Sequence, residues 1–356
     1  MNTQMTKSRA QRLLASAATA ARSGVERGRG VREAASVRPG RRDVAASRPV
    51  IVLDHASALA DNGFTVFPGL FSATECAELA TALKGQAGIR ESVKFTKVDA
   101  TNCFETAREL LLEGRILEAV RESIGPDVRF LQVSDLHYQH DTAGWHRDSV
   151  HRAADASDAP DWSDPGTPYR VVKAILYLEA ENSAMGIMAG SHRSAREMDH
   201  AAVERIEAAD GQMVIDAGAE PNRRLSEAQK RVPLAWRAQV GDVLVFDERM
   251  YHAGRRVENG RVTANREAPK FTLSLVFGSD NHHSERLYSY FRFARKELPY
   301  RDLPPALRAV LADRGLVLSQ GWANFYRRHP QELRHVHLRD QAELEPLIAR
   351  FSRPEG

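Results

Sequence analysis

Cysteine is scarce in this chain of 356 residues, in which Cys76 and Cys103 are the only two. Two cysteines are too few for a disulfide framework or for a cysteine-ligated metal cluster. The scarcity therefore excludes a small disulfide-stabilised secreted fold. It indicates a reducing compartment, and we expect a cytoplasmic protein.

Long apolar runs are missing as well. No segment approaches the roughly 20 consecutive apolar residues that a membrane-spanning helix requires, and the N-terminus lacks the apolar stretch of a secretory signal. We therefore expect no membrane span. The hydrophobic content of 42% and the charged content of 27% are ordinary for a globular chain with a substantial core.

The net charge is only +3, but the basic residues are unevenly distributed. Residues 1–48 contain eleven Lys or Arg against three acidic residues. Few large apolar side chains accompany them, so this segment is predicted to be a disordered basic tail. No acidic residue precedes Glu26, which leaves an organellar transit peptide open as an alternative. An arm that binds nucleic acid or a membrane surface is the third alternative.

Beyond the tail, the chain is mildly acidic and shows no basic groove with interleaved aromatic residues. We therefore expect a small-molecule substrate and no nucleic-acid partner. We predict one domain over residues 49–356, with a barrel at about 126–280 and a helical C-terminal extension at 281–356.

Helical segments precede a series of short strand-like runs. Ser72 and Glu75 carry the signature of a capping box before a helix at 73–84, and residues 106–123 have helical periodicity. Many short strands after such helices predict a β-sandwich or barrel and argue against a βαβ sheet. The predicted strands cover residues 128–133, 136–139, 170–179, 186–188, 243–246 and 270–277.

One short motif places an imidazole and a carboxylate two residues apart, at His146 and Asp148. If the segment is extended, both side chains point to the same face, because side chains alternate along a strand. Such a pair supplies two of the three ligands of the two-histidine, one-carboxylate site that holds non-haem Fe(II). His252, after a later strand, is the candidate third ligand. A surface or core pair without any ligand is the alternative interpretation of the motif.

Several segments together resemble the phytanoyl-CoA dioxygenase family of Fe(II)- and 2-oxoglutarate-dependent oxygenases, in the family's order and rough spacing. They are GFTVFPGLF at 63–71, WHRD at 145–148, AGSH at 189–192, GDVLVF at 241–246 and HAG at 252–254. The resemblance implies a mainly β fold: a double-stranded β-helix, which is a jelly-roll or cupin-like barrel, flanked by N-terminal and C-terminal helices.

The same resemblance implies the chemistry. Fe(II) would be held by His146, Asp148 and His252, with 2-oxoglutarate and O₂ as co-substrates, and a C–H bond of a small or medium organic substrate would be hydroxylated with release of succinate and CO₂. The halogenases among such oxygenases carry a small residue in place of Asp148, so the carboxylate favours hydroxylation or a related oxidation. A cupin-like barrel that binds a ligand without catalysis is the competing hypothesis.

The residue that anchors 2-oxoglutarate is less well defined. The family has an arginine near the start of the strand after the second histidine, and the strand register puts Lys270 at that place. A lysine can hold a carboxylate as a point charge, without the bidentate geometry of arginine. Arg266 and Arg261 are the alternatives, and Thr272 could add a hydroxyl on the same strand face.

Candidate contacts to the substrate or co-substrate lie on strands expected to line the barrel, at Gln132, Tyr138 and Lys173. Trp145, beside the first ligand, is a further candidate substrate contact. Packing is the alternative role for Trp145. His192 is interpreted as a residue that stabilises a turn. The adjacent His282 and His283 are not expected to bind a metal together.

Overall fold

The computed structural model of the chain describes most of the residues from Val50 onward, which form one compact unit. The predicted tail at 1–48 lies outside the described residues. None of the described helices is long and apolar enough to cross a membrane. The described residues are 50–90, 94–139, 144–151, 159–164, 166–209, 211–215, 220–259, 261–264, 270–295, 300–336, 338 and 341–353.

Within these residues the strands form two sheets. The six-stranded sheet has the order β1-β8-β4-β11-β3-β2 and the five-stranded sheet the order β10-β9-β5-β7-β6. All described pairs are antiparallel except β6 with β7. The strands are β1 (Phe64–Phe67), β2 (Phe95–Val98), β3 (Arg129–Tyr138), β4 (Val171–Ala180), β5 (Ser183–Ile187), β6 (Met213–Ile215), β7 (Leu234–Arg237), β8 (Val243–Asp247), β9 (His252–Glu258), β10 (Arg261–Ala264) and β11 (Lys270–Gly278).

The chain crosses repeatedly between the two sheets. It passes from β4 to β5, from β7 to β8, from β8 to β9 and from β10 to β11 by changing sheet each time. This winding of antiparallel strands around a shared interior is the double-stranded β-helix, or jelly roll. The predicted mainly β fold is therefore confirmed.

The alternation of β4 shows how the core divides. Ile175 and Tyr177 belong to the apolar cluster between the sheets, where Tyr177 meets Trp236 edge-on at 5.5 Å. Leu176 and Leu178 belong to the cluster under the helices. Because both faces of the six-stranded sheet are covered, its central strands are apolar on both sides.

Helices cover the outer face of the six-stranded sheet and form the C-terminal extension. Ser72 and Glu75 form the predicted capping box, with both reciprocal hydrogen bonds present. The helices are His55–Asn62, Ala73–Ala87, Ala100–Cys103, Glu105–Leu112, Gly114–Ile124, Pro160–Ser163, His200–Ala208, His282–Ser289, Pro305–Asp313, Phe325–Arg328 and Leu344–Phe351, with a π-helical segment at Tyr290–Ala294 and 3-10 turns at Ser191–Arg193, Gln229–Arg231, Pro330–His335 and Gln341–Glu343.

One local expectation was wrong. The helix expected at 106–123 is two helices, because Glu113 is extended (φ −70°, ψ 130°) and its carboxylate accepts the N–H of Arg115 to begin a new helix. Helical periodicity continues across this break, so the pattern alone did not reveal it. After His252 the chain forms the hairpin of β9 and β10.

Candidate metal centre

The fold brings His146, Asp148 and His252 together. His146 and His252 exchange backbone hydrogen bonds of 3.0 and 2.9 Å. The Nε2 atoms of His146 and His252 lie 3.6 and 3.4 Å from the two carboxylate oxygens of Asp148. One ligand atom from each residue lies within 4.8 Å of the other two. A single divalent ion can therefore be bound by all three.

The tautomers of both histidines suit metal binding. Nδ1 of His146 lies 2.8 Å from the carbonyl oxygen of Gly144, and Nδ1 of His252 lies 3.1 Å from that of Met250. A carbonyl can only accept, so Nδ1 carries a proton on each ring and Nε2 is the nitrogen left to bind a metal. Metal-binding histidines typically have this arrangement. The donor set is that of non-haem Fe(II).

Arg147 points away from the three ligands and is almost completely buried. Its guanidinium donates to the carbonyl oxygens of Ser191 (3.0 Å) and Ala195 (3.1 Å) and stacks over the Tyr251 ring at 4.0 Å. Burial lowers the pKa of Arg147 to about 10. The residue between two metal ligands thus fixes the turn that contains the AGSH segment.

Lys173 on β4 reaches the metal ligands from the barrel interior. Its ammonium contacts Oδ2 of Asp148 directly and lies 3.7 Å from the carboxylate of Glu248. Burial disfavours the charge, but the carboxylates of Asp148 and Glu248 outweigh it and raise the pKa of Lys173. Burial likewise opposes the charge of Asp148, while Lys173 and His252 hold the pKa of its carboxyl well below the usual value.

Glu248 escaped the sequence reasoning, whereas Lys173 was a candidate for co-substrate or substrate contact on a strand expected to line the barrel. Glu248 is fully buried, and its carbonyl oxygen accepts the N–H groups of Asp148 (3.0 Å) and Ser149 (2.8 Å). The available signal was an acidic residue directly after a buried strand, four residues before His252.

Lys270 begins β11 on the interior face of the sheet. It lies opposite Ala180, and Thr272 on the same face lies opposite Tyr177, while Phe271 packs among the residues under the helices. Burial lowers the pKa of Lys270 to about 8. Burial is the only cause of this shift, and no carboxylate of the described residues contributes to it.

The two alternative anchors are placed differently. Arg261 is exposed on β10, the edge strand of the five-stranded sheet. Arg266 lies outside the described residues. Of the candidate anchors that the structure describes, Lys270 is therefore the one on the inner face of β11.

The proposed substrate contacts do not all lie near the ligands. Gln132 is buried where the pairing of β3 with β11 is irregular, and its φ is 58°. Its side-chain oxygen has no hydrogen-bond partner among the described residues. Tyr138 packs in the cluster under the helices, 5.5 Å from Phe271 and beneath the ammonium of Lys84. The structure does not bring Tyr138 to the metal ligands.

Trp145 packs outside the barrel interior. It belongs to a small apolar cluster with Ala253 and with Val203 of the helix His200–Ala208, and the guanidinium of Arg255 lies 4.9 Å from its ring. Its surroundings are those of a packing residue.

A second group of possible ligand atoms comes from Asp164, His282 and His283. His283 is already engaged on both ring nitrogens: Nδ1 lies 3.2 Å from a carboxylate oxygen of Asp161, and Nε2 lies 3.2 Å from the carbonyl oxygen of Thr167. Asp161 also accepts from Ser149 and Arg286, at 2.7 and 3.0 Å. This network connects the C-terminal extension to the segment that follows Asp148.

Three solved structures are similar to this chain at low identity. The non-heme alpha-ketoglutarate-dependent epimerase SnoN from nogalamycin biosynthesis is 16% identical, with a TM-score of 0.41 over 64% of this chain and 81% of that one. HygX from Streptomyces hygroscopicus, with nickel and 2-oxoglutarate bound, is 18% identical, with a TM-score of 0.43 over 63% and 86%. The carbocyclase SnoK from nogalamycin biosynthesis is 17% identical, with a TM-score of 0.41 over 64% and 83%.

No curated protein matches the sequence significantly. The model of the family described as phytanoyl-CoA dioxygenase (PhyH) matches residues 59–263, which is more than half of the chain. The match includes all three residues of the ligand group. The chain belongs to the phytanoyl-CoA dioxygenase family of Fe(II)- and 2-oxoglutarate-dependent oxygenases.

Proposed function

We propose that this protein is a dioxygenase that hydroxylates a C–H bond of a small or medium organic substrate, with Fe(II) and 2-oxoglutarate. The observation that carries the proposal is the group of His146, Asp148 and His252, in which both imidazoles present Nε2 toward a shared carboxylate. A barrel that only binds a ligand has no need of this donor set.

The three residues bind the metal on one side. When bound, Fe(II) with 2-oxoglutarate and O₂ supplies the oxidation, in which the co-substrate becomes succinate and CO₂ and one C–H of the substrate is hydroxylated. The carbonyls of Gly144 and Met250 keep each imidazole in the ligating tautomer. The inter-sheet core limits the access of water to the site.

Lys270 binds the distal carboxylate of 2-oxoglutarate in this proposal. A buried ammonium without a counter-ion is costly. None of the described residues supplies a counter-ion to Lys270, and a carboxylate ligand would supply that charge. Thr272 lies on the same face of β11 and can donate its hydroxyl to that carboxylate. Arg266 is the alternative anchor.

The proposal is tested with purified protein, Fe(II), ascorbate and 2-oxoglutarate under air. We expect succinate formation even without the natural substrate, and we expect His252→Ala to abolish it. His200→Ala is the matched control, since His200 is exposed at the start of the helix His200–Ala208. Succinate formation at the same rate in His252→Ala would refute the assignment of the ligands. Ligand binding by the wild type without any succinate would instead favour the non-catalytic barrel.

A further inference from the structure

Lys173 is held within a group of buried acidic residues beside the ligands. Its side chain is 12% exposed, that of Asp148 13% and that of Glu248 0%. The carboxylate of Asp135 also acts on the ammonium electrostatically. The Lys173 side chain therefore lies beside the ligands, in the interior of the barrel.

The contact of Lys173 involves one particular oxygen of Asp148. The ammonium contacts Oδ2, which also lies 3.4 Å from Nε2 of His252, whereas Oδ1 lies 3.6 Å from Nε2 of His146. Each carboxylate oxygen of Asp148 thus faces one of the two histidines. The ammonium holds the carboxylate in this orientation.

Glu248 supports the same carboxylate in two ways. Its carbonyl oxygen fixes the backbone of Asp148 through a hydrogen bond of 3.0 Å. Its side chain lies 3.7 Å from the Lys173 ammonium and balances part of that charge. The backbone and the side chain of Asp148 are thus both held before any metal binds.

We propose that Lys173 is a positioning residue for the metal centre, which holds Oδ2 of Asp148 and so keeps the carboxylate oriented toward both histidines. The inference rests on the proposed function, because it assumes that the three-residue group binds a metal. It assigns Lys173 a role in metal affinity and coordination geometry, with Glu248 as its charge partner.

A positioning role and simple charge repulsion predict opposite changes in metal affinity when Lys173 is removed. An ammonium near a dication repels it, so the removal of Lys173 should tighten metal binding if charge alone matters. If Lys173 orients the ligand, its removal should weaken metal binding, because groups that orient metal ligands are typically worth about 10- to 100-fold in affinity.

The test compares Glu248→Gln with the double variant Lys173→Met/Glu248→Gln, which keeps the net charge of the wild type. Affinity for Co²⁺ is measured by calorimetry without 2-oxoglutarate, the d–d spectrum reports coordination, and thermal unfolding reports the fold. We expect the double variant to bind Co²⁺ about 10- to 100-fold more weakly than Glu248→Gln, with an altered spectrum. Equal or tighter binding by a folded double variant would overturn the proposal.

Two further proteins make the outcome decisive. Lys173→Arg serves if the double variant does not fold, since it keeps the charge but moves the donor. A positioning role predicts weaker Co²⁺ binding by Lys173→Arg than by the wild type. Charge balance alone predicts an unchanged Co²⁺ affinity. His252→Ala gives the baseline for a disrupted centre. If the wild type binds Co²⁺ no better than His252→Ala, the proposed function fails. If the wild type binds Co²⁺ better than His252→Ala does, but each Lys173 variant binds Co²⁺ as tightly as its control, only the positioning role fails.

Discussion

His146 and His252 pair through their backbones, each donating its N–H to the carbonyl oxygen of the other, at 3.0 and 2.9 Å. Their ring centroids are 4.4 Å apart. The segment that carries Asp148 is thereby fixed to the start of β9, so the positions of the three ligands are determined by main-chain hydrogen bonds. A centre built in this way should lose metal when a ligand is replaced without losing its fold.

Asp148→Asn tests this separation of metal binding from folding. The amide keeps the shape of the carboxylate but is a poor ligand and no longer balances Lys173. We expect metal affinity to fall by about 100-fold or more, and succinate formation to be lost, while circular dichroism remains that of the wild type. Metal content after dialysis provides the measurement, and an unchanged content would contradict the assignment.

Lys270→Met tests the anchor of the co-substrate. The substitution removes the buried ammonium of β11, so we expect the KM for 2-oxoglutarate to rise about 10- to 100-fold, the value of a charge-assisted hydrogen bond. Metal affinity should not change. Lys97→Met, on an exposed position of β2, is the control. An unaltered KM in Lys270→Met would move the anchor to Arg266.

The same lysine predicts a pH dependence. Because burial lowers the pKa of Lys270 to about 8, the ammonium is charged below that pH and neutral above it. The Kd for 2-oxoglutarate should therefore rise with pH, about tenfold between pH 7 and pH 9. Lys270→Arg should remove the dependence in this range, since a guanidinium stays charged. Titrations at each pH provide the measurement, and a flat wild-type profile would contradict the prediction.

Without co-substrate, the free energy of unfolding should increase as pH rises, whereas binding of 2-oxoglutarate weakens. The folded state disfavours the charged form of Lys270, so its cost is fully present below pH 8 and is relieved as pH rises from about 8 to about 10.4, the usual value of lysine. Lys270→Met should therefore be more stable than the wild type at pH 7, and the difference should shrink at pH 10. Chemical unfolding at both pH values measures this difference.

Arg147→Met should affect folding first. It removes the donor to the partly buried carbonyl oxygens of Ser191, Ser194 and Ala195 and the stacking of a buried guanidinium on Tyr251. We expect this change to cost about 2–4 kcal/mol of unfolding free energy. Arg90→Met, at an exposed position, should cost almost nothing. The free energy of unfolding in urea is the measurement. Equal stabilities would show that the turn does not depend on Arg147.

The sequence did not show which side chains of a buried strand point into the barrel and which point toward the helices. Tyr138 was expected near the site because β3 lines the barrel, yet it lies opposite Phe271 and packs under the helices, whereas Asp135 lies opposite Ser274 on the inner face. Where both faces of a sheet are covered, apolar residues occupy both, so no alternation of polarity distinguishes them.

The sequence by itself determined the local features. The capping box at Ser72 and Glu75 depends on residues three apart, and the two-residue spacing of His146 and Asp148, with the later His252, is legible without a fold. Short-range spacing sets which groups can meet on one side of a strand or helix.

Only the tertiary structure decided which groups surround that carboxylate. Lys173 reaches Asp148 from another strand, and Glu248 reaches it from the end of β8. Such contacts depend on the register between strands that are distant in sequence, and register is set by the packing of the whole barrel. The ligands are thus legible in the sequence, while the residues that hold Asp148 in place are visible only in the folded chain.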